Sequence, residues 1–212
     1  MSLQVCDDAK IVVSAPFFTP ADAIRRFVEE KQGWLDKILA RQRQEAAHPK
    51  KKKYETGEHF FYLGQLYPLE VFFEPFEKEG IVFRNHRFYL NCRSDKALRK
   101  YCFVAWYTKK ADKIIRRRVD LFSGMLKLPY EMIRITSAES RWGACSKDNR
   151  LSFSYRLIMA PPDVVDYVII HELMHIPEKN HSSTFWQKVE AVMPSFRERR
   201  RWLQDNHRNL AL

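Results

Sequence analysis

Residues 164–175 read Val-Val-Asp-Tyr-Val-Ile-Ile-His-Glu-Leu-Met-His. The apolar run before His171 predicts a helix that is buried on most of its sides. Residues four apart lie on one helical face, about 6 Å apart along the axis, so His171 and His175 can both reach one ion. Glu172 lies one step around the helix, where its carboxylate can take a proton from an attacking water. This stretch therefore predicts a metal-binding helix that carries its own catalytic base.

Two histidines and a glutamate are costly inside such an apolar helix unless they are paired or bound to something. The competing interpretation is that both histidines are core residues bonded to neighbours and that Glu172 is exposed. A metal ion accounts for all three side chains together. We therefore predict a metal site.

A third ligand is expected, because a catalytic zinc commonly has three protein ligands and an open position for water. His181 is the best candidate, since Pro177 and the polar residues after it can turn the chain back toward the ion. Glu178 is the alternative, and His207 is a weaker one. Three imidazoles also suit nickel, cobalt and copper, but we predict one Zn²⁺ per chain.

The remaining hydrophobic patterns predict an α+β protein with a strand-rich N-terminal subdomain, residues 1–92, and a helix-dominated domain, residues 93–212. Helices are predicted at 20–44, 95–124, 162–176, 185–192 and 196–204, and strands at 11–14, 60–63, 69–73, 81–83, 88–90, 132–136 and 151–155. Residues 141–144 are predicted as a loop between two strands.

Three residues near that loop are candidates for substrate binding. Arg141 and Trp142 could line a cleft before the metal helix, and Tyr155 could donate to a developing oxyanion. Each also has a structural interpretation: ion pairing for Arg141, packing for Trp142 and a place in the core for Tyr155. Phe185 and Trp186, just past the third histidine, are predicted to pack around it.

Composition and charge limit the class of protein. The chain is 45% apolar and 14% aromatic, which argues against wholesale disorder. Its four cysteines form no CxxC pair, and no secretory signal or membrane-spanning run is visible, so we predict a cytoplasmic protein. The net charge of +11 and the basic clusters Lys50–Lys53, Arg116–Arg118 and Arg197–Arg201 are typical either of a nucleic-acid or nucleotide surface or of solvated surface.

Several separate motifs, in order along the chain, resemble the YgjP-like metallopeptidase domain family, which is related to the SprT and Spartan zincins. They are residues 141–146 (RWGACS), 155–162 (YRLIMAPP), 171–175 (HELMH) and 180–186 (NHSSTFW). The resemblance implies a zincin-type fold with the metal helix packed beneath a short sheet, His181 as third ligand and Glu172 as base. Ala144 stands where the family usually has Ser, and Pro177 ends the helix early.

The leading hypothesis is an intracellular zinc metallopeptidase that acts on peptides or proteins. A metal-dependent nucleotide or phosphoester hydrolase using the same site is the alternative. A non-catalytic nucleic-acid-binding module with structural zinc is a third hypothesis, but such a module has no need of Glu172.

Overall fold

The computed structural model describes residues 1–5, 11–36, 38, 52–93 and 95–212. The strands are β1 (Ser2–Val5), β2 (Ile11–Ser14), β3 (His59–Tyr62), β4 (Gln65–Phe72), β5 (Gly80–Arg84), β6 (Arg87–Asn91), β7 (Met132–Thr136), β8 (Gly143–Cys145) and β9 (Arg150–Ser154). The α-helices are α1 (Ala21–Glu30), α2 (Lys96–Leu126), α3 (Pro162–Met174), α4 (Ser183–Val192) and α5 (Phe196–Asn206). Short 3₁₀ helices cover Tyr155–Met159 and His207–Leu210. The mixed α+β class predicted from the sequence is confirmed.

Two compact units make up the chain, Met1–Lys51 and Lys52–Leu212. In the first unit β1 and β2 pair antiparallel, and α1 starts directly after Pro20. The helix predicted over 20–44 is interrupted by a turn at Lys31 and resumes at 32–36; most of its remainder lies outside the described residues. The predicted division near residue 93 stays a prediction.

The larger unit contains a four-stranded sheet that packs against α2 through aromatic side chains. Its strand order is β3-β4-β6-β5, with β4 and β6 parallel and the other pairs antiparallel. Phe60 of β3 stacks on Phe103 of α2 with ring centroids 4.1 Å apart, and Phe88 of β6 lies 5.7 Å from the same ring. All three side chains are fully buried, so this contact anchors the sheet on the helix.

The long helix α2 is capped at both ends. The Asp95 side chain accepts a hydrogen bond from the backbone N–H of Ala97. At the other end Lys127 takes the left-handed conformation, and the N–H of Leu128 donates to Ser123. The predicted stop at Gly124 is therefore wrong by two residues, because the helix continues through this glycine to Leu126.

A second, three-stranded sheet has the order β7-β9-β8, with β8 at its edge and antiparallel to β9. The prediction of a loop over 141–144 is wrong for its second half, because Gly143 and Ala144 belong to β8. Three residues are too few to show an alternating pattern, and the strand exists because Gly143 pairs with Phe153 and Cys145 with Leu151.

Helix α3 lies among α2, α4, α5 and β8. Ion pairs fix it on two sides: Arg118 of α2 donates to Asp166 at 2.6 Å, and Arg199 of α5 pairs with Asp163 at 2.8 Å. None of the described helices is both long and apolar enough to span a membrane.

The β3–β4 turn connects the first sheet to the segment that leads into α3. Leu63 and Gly64 both have positive φ, as expected for a two-residue hairpin turn. Their N–H groups donate to the carbonyls of Ile158 and Met159, at 2.8 and 3.0 Å. A Cβ on Gly64 would lie 2.9 Å from Cα of Pro161, which requires the absence of a side chain at this position.

We therefore expect Gly64→Ala to lower the free energy of unfolding by about 2–5 kcal/mol, the sum of a left-handed backbone penalty and an overpacking term. Gly57→Ala is the matched control, because Gly57 also has positive φ but has no atom within 4 Å of an added Cβ. Urea unfolding of both variants measures the difference. Equal losses in the two variants would contradict a close contact with Pro161.

Candidate metal centre

Three histidines converge where α3 ends and the chain turns into α4. His171 lies in the last turn of α3 and His175 is its C-terminal cap. The backbone N–H of Glu178 donates to Met174, and six residues after His175 the chain reaches His181. The next residue, Ser182, is the N-terminal cap of α4, because its hydroxyl oxygen accepts a hydrogen bond from the N–H of Phe185.

The ligating atoms of His171, His175 and His181 all lie within 4.8 Å of one another, and the group could hold a metal ion. The Nε2 atoms of His171 and His181 are 3.0 Å apart. His175 is buried, with 8% of its surface exposed, whereas His181 is exposed on the outer side. The cluster therefore has an open side toward solvent.

A backbone carbonyl orients His175. Its Nδ1 lies 3.0 Å from the carbonyl oxygen of Glu178, and because that oxygen can only accept, Nδ1 is the donor. The Nε2 lone pair is then free for a metal. The carboxylate of Glu178, the alternative third ligand, is instead 4.0 Å from Nζ of Lys188 and is not part of the cluster.

Lowered pKa values favour the neutral form of His171 and His181, which is the form that binds metals. Burial is the main reason that the pKa of His171 falls to about 3, and the charges of His175, His181 and Arg200 lower it further. Burial also lowers the pKa of His181, with His175 and Arg200 adding to the effect. The Nδ1 atom of His171 is buried and has no hydrogen-bond partner among the described residues.

Glu172 is buried against the edge strand, with 5% of its surface exposed. Burial raises the pKa of its carboxyl to about 8, and the positive charge of Arg141 opposes that shift. A Cβ added to Gly143 of β8 would lie 2.6 Å from Cγ of Glu172 and 2.7 Å from Oε1. The carboxylate thus rests directly on the backbone of β8, in a space that exists because residue 143 has no side chain.

An aromatic wall packs around the histidines. Phe185 is fully buried, and its ring centroid lies 4.9, 4.5 and 4.8 Å from those of His171, His175 and His181. Trp186 stacks on His181 at 5.6 Å with an interplanar angle of 25°. The structure places both aromatic residues where the sequence predicts them, around the third histidine.

Among the described residues, no hydrogen bond or ring contact joins the three predicted substrate residues to the histidines of the cluster. Arg141 is exposed but close enough to Glu172 to affect its pKa. Trp142 lies under the guanidinium of Arg156, at 5.8 Å, and contacts the ring of His207. Tyr155 is buried and stacks on Tyr107 of α2 at 6.4 Å. Substrate roles for the three stay predictions.

Many arginines of the predicted basic clusters are ion-paired within the chain. The pairs are Arg116 with Asp112, Arg118 with Asp166, Arg197 with Glu190, and Arg199 with Asp163 and Glu198. In the lysine cluster Lys52 lies 3.8 Å from Glu58, and residues 50 and 51 lie outside the described part of the chain. Nucleic-acid binding through these clusters therefore stays a prediction.

Two residues beside the cluster carry little signal in the sequence. The sequence predicts a loop at Gly143, and nothing local indicates that Glu172 rests on it. Arg200 was noted only for its charge, although helical spacing puts it on the same face as Phe196, four residues earlier.

We expect Gly143→Ala to reduce the hydrolysis predicted from the sequence by about 100-fold, because a displacement of about 1 Å at the predicted base, Glu172, costs about that much. Gly143 has no positive φ, so the added methyl acts on Glu172 and not on the backbone. Gly124→Ala is the control, since an added Cβ there meets nothing within 4 Å and should stabilise α2 by up to about 1 kcal/mol. Steady-state turnover and thermal unfolding of both variants test this, and full activity in Gly143→Ala would refute it.

Three histidines whose ligating atoms lie within 4.8 Å of one another, and a buried glutamate next to the first of them in α3, define a candidate metal-dependent hydrolase. Residues 1–206 match the YgjP-like, metallopeptidase domain family, and the chain belongs to that family. The resemblance predicted from the sequence motifs is thereby confirmed. Membership supports a metal-dependent peptidase and implies a divalent metal.

No curated protein is significantly similar to the chain. Among solved structures, the metallopeptidase zymogen of Pyrococcus abyssi abylysin is 22% identical in sequence, over 43% of this chain and 93% of that one, with a TM-score of 0.39.

Proposed function

We propose that this chain is a zinc-dependent metallopeptidase in which His171, His175 and His181 hold one Zn²⁺ and Glu172 is the general base. The observation that carries the proposal is the convergence of three imidazoles within 4.8 Å, beside a glutamate that has no ionic partner at hydrogen-bonding distance among the described residues. A structural zinc site does not need such a carboxylate.

A bound zinc ion supplies a Lewis acid that activates water and polarises a carbonyl. Glu172 accepts the proton of the attacking water and passes it to the leaving amine. A divalent cation beside the carboxyl favours its ionised form, which opposes the rise in pKa caused by burial. The Glu178 carbonyl keeps His175 in the tautomer that leaves Nε2 free.

Strand β8 supports a peptide as the substrate. It is the edge of its sheet, and Trp142 and Ser146 bond to β9 through Ser154 and Arg150. Because backbone direction alternates along a strand, Gly143 and Cys145 present their N–H and C=O groups to the side on which no described strand pairs with β8. An extended peptide can add to that side beside Glu172. The contact of α3 with β8 is the basis for proposing a zincin-type site.

The experiment that tests the proposal is incubation of the zinc-loaded protein with a panel of peptides and an unfolded protein, with products identified by mass spectrometry. We expect cleavage of peptide bonds that stops with a chelator and returns with zinc. Intact substrates across the panel, from protein shown to hold zinc, would count against a peptidase.

Phosphoester hydrolysis is the second candidate, and the observation that favours it is the free arginine charge near the histidines. Arg200 has no carboxylate partner among the described residues, and its charge acts on His171 and His181. The same incubation with nucleotides separates the two candidates. Turnover of a nucleotide that needs Glu172, with every peptide left intact, would place this candidate first.

A further inference from the structure

A pocket of about 430 Å³ shares Trp186 with the aromatic wall around the histidines. It is lined by Trp186, Phe196, Arg197, Arg200, Arg201 and Gln204. Its polar side chains come from one helix, α5, and its aromatic floor is formed where α5 meets α4. Apart from the ring of Trp186 and the charge of Arg200, the lining of this pocket takes no part in the site described above.

Trp186 belongs both to the pocket and to the wall around the histidines. One neighbour of its ring is His181, stacked at 5.6 Å, and another is Phe196, stacked at 5.4 Å with an interplanar angle of 16°. Phe196 is almost fully buried and belongs to the hydrophobic core, so the floor is packed against the core. A group bound in the pocket would therefore lie one aromatic ring away from the candidate metal ligands.

The positive charge at the mouth of the pocket is only partly neutralised. Arg197 is paired with Glu190. The guanidinium of Arg200 lies 4.9 Å over the ring of Trp186, which holds it at the pocket. Neither Arg200 nor Arg201 has a carboxylate partner in the part of the chain that the structure describes. The pocket thus offers guanidinium groups, an aromatic surface and the amide of Gln204, and no acidic residue lines it.

We propose that this pocket binds a carboxylate of the peptide substrate and that Arg200 is its principal ligand. The proposal rests on the proposed peptidase function and adds a substrate class to it: peptides that carry an acidic group close to the scissile bond. Guanidinium and carboxylate match in shape and charge and can form two parallel hydrogen bonds. The aromatic floor accommodates the apolar stem of an acidic side chain.

The carboxylate has two possible sources, an acidic side chain or the C-terminus of the peptide. Three peptides separate them: an acetylated and amidated pentapeptide with a central Glu in an alanine background, its counterpart with a central Gln, and acetylated pentaalanine with a free C-terminal carboxylate. Binding to the zinc-loaded Glu172→Gln protein is measured by isothermal titration, so that the readout is independent of turnover.

We expect the Glu peptide, or pentaalanine if the C-terminus is the source, to bind about 10-fold more tightly than the Gln peptide. Adding Arg200→Gln should remove this preference. Adding Arg117→Gln should keep it, because Arg117 is an exposed arginine of α2 that does not line the pocket, and its loss lowers the net charge equally. Zinc content and thermal unfolding confirm that each variant is folded and loaded.

The proposal would be overturned if all three peptides bound equally, or if the preference survived Arg200→Gln. It would also be overturned if a nucleotide bound and none of the peptides did. Cleavage of the same peptides by the unsubstituted protein is scored separately. Cleavage without preference for a carboxylate leaves the peptidase function standing and removes the pocket's role. A carboxylate preference in binding without cleavage of any peptide supports the pocket's role and counts against the peptidase function.

Discussion

Replacing Glu172 with Gln is expected to lower peptide hydrolysis by about 100-fold to 10,000-fold, the range typical for loss of a general base. The amide is nearly isosteric with the carboxyl, so it fits the space beside Gly143 that the glutamate occupies. It cannot accept a proton from water. Because Glu172 belongs to none of the pairs that orient the histidines, the variant should bind zinc as the unsubstituted protein does.

A matched control for this change is Glu70→Gln. Glu70 lies in β4, is half-exposed and pairs with Arg87 at 3.2 Å, so the substitution removes the same charge from the surface. Its turnover should equal that of the unsubstituted protein. Steady-state rates, with zinc content measured on the same samples, decide the outcome. Unimpaired turnover in Glu172→Gln would mean that another group is the base.

The part of the site that lies on one helix could be predicted from the sequence, and the part built by tertiary contacts could not. Helical periodicity alone places His171 and His175 on the same face. His181 could be proposed as the third member because Pro177 ends the helix, but its 3.0 Å approach to His171 depends on the Ser182 cap and the packing of α4.

The same distinction, between local patterns and tertiary contacts, decides which elements of the fold could be predicted. The helix α2 is visible in the sequence because its apolar spacing extends over 31 residues and Asp95 supplies a cap. Strand β8 could not be predicted from the sequence, because three residues are too few to show the alternating pattern of a strand. Its existence depends on its pairing with β9. That strand supplies Gly143, so the residue that positions Glu172 was hidden together with the strand.

The spacing of the pocket residues is visible in the sequence. Within the cluster Arg197–Arg201 the sequence shows only charge, whereas the positions of Phe196, Arg200 and Gln204 follow the four-residue spacing of a helical face. An aromatic residue and an arginine on one face indicate a recognition surface better than net charge does, because most of the other arginines turn out to be ion-paired.

Removal of one histidine of the cluster is expected to cost the protein most of its metal. Changing a partner that merely orients a metal ligand costs about 10-fold to 100-fold in affinity, so losing a ligand should cost at least the upper end of that range. We expect one zinc per chain in the unsubstituted protein and a small fraction of that in His171→Ala and His181→Ala. Elemental analysis after dialysis against a weak chelator measures both.

Two further variants make the assignment of the third ligand decisive. His207→Ala removes a histidine whose ring contacts Trp142 and which is not part of the cluster, so zinc should be retained. Glu178→Ala keeps the backbone carbonyl that orients His175 and removes only a carboxylate near Lys188, so it too should retain zinc. If His181→Ala held a full equivalent of zinc while Glu178→Ala lost it, the third ligand would be Glu178, and the 3.0 Å approach of His181 to His171 would have no role in binding the metal.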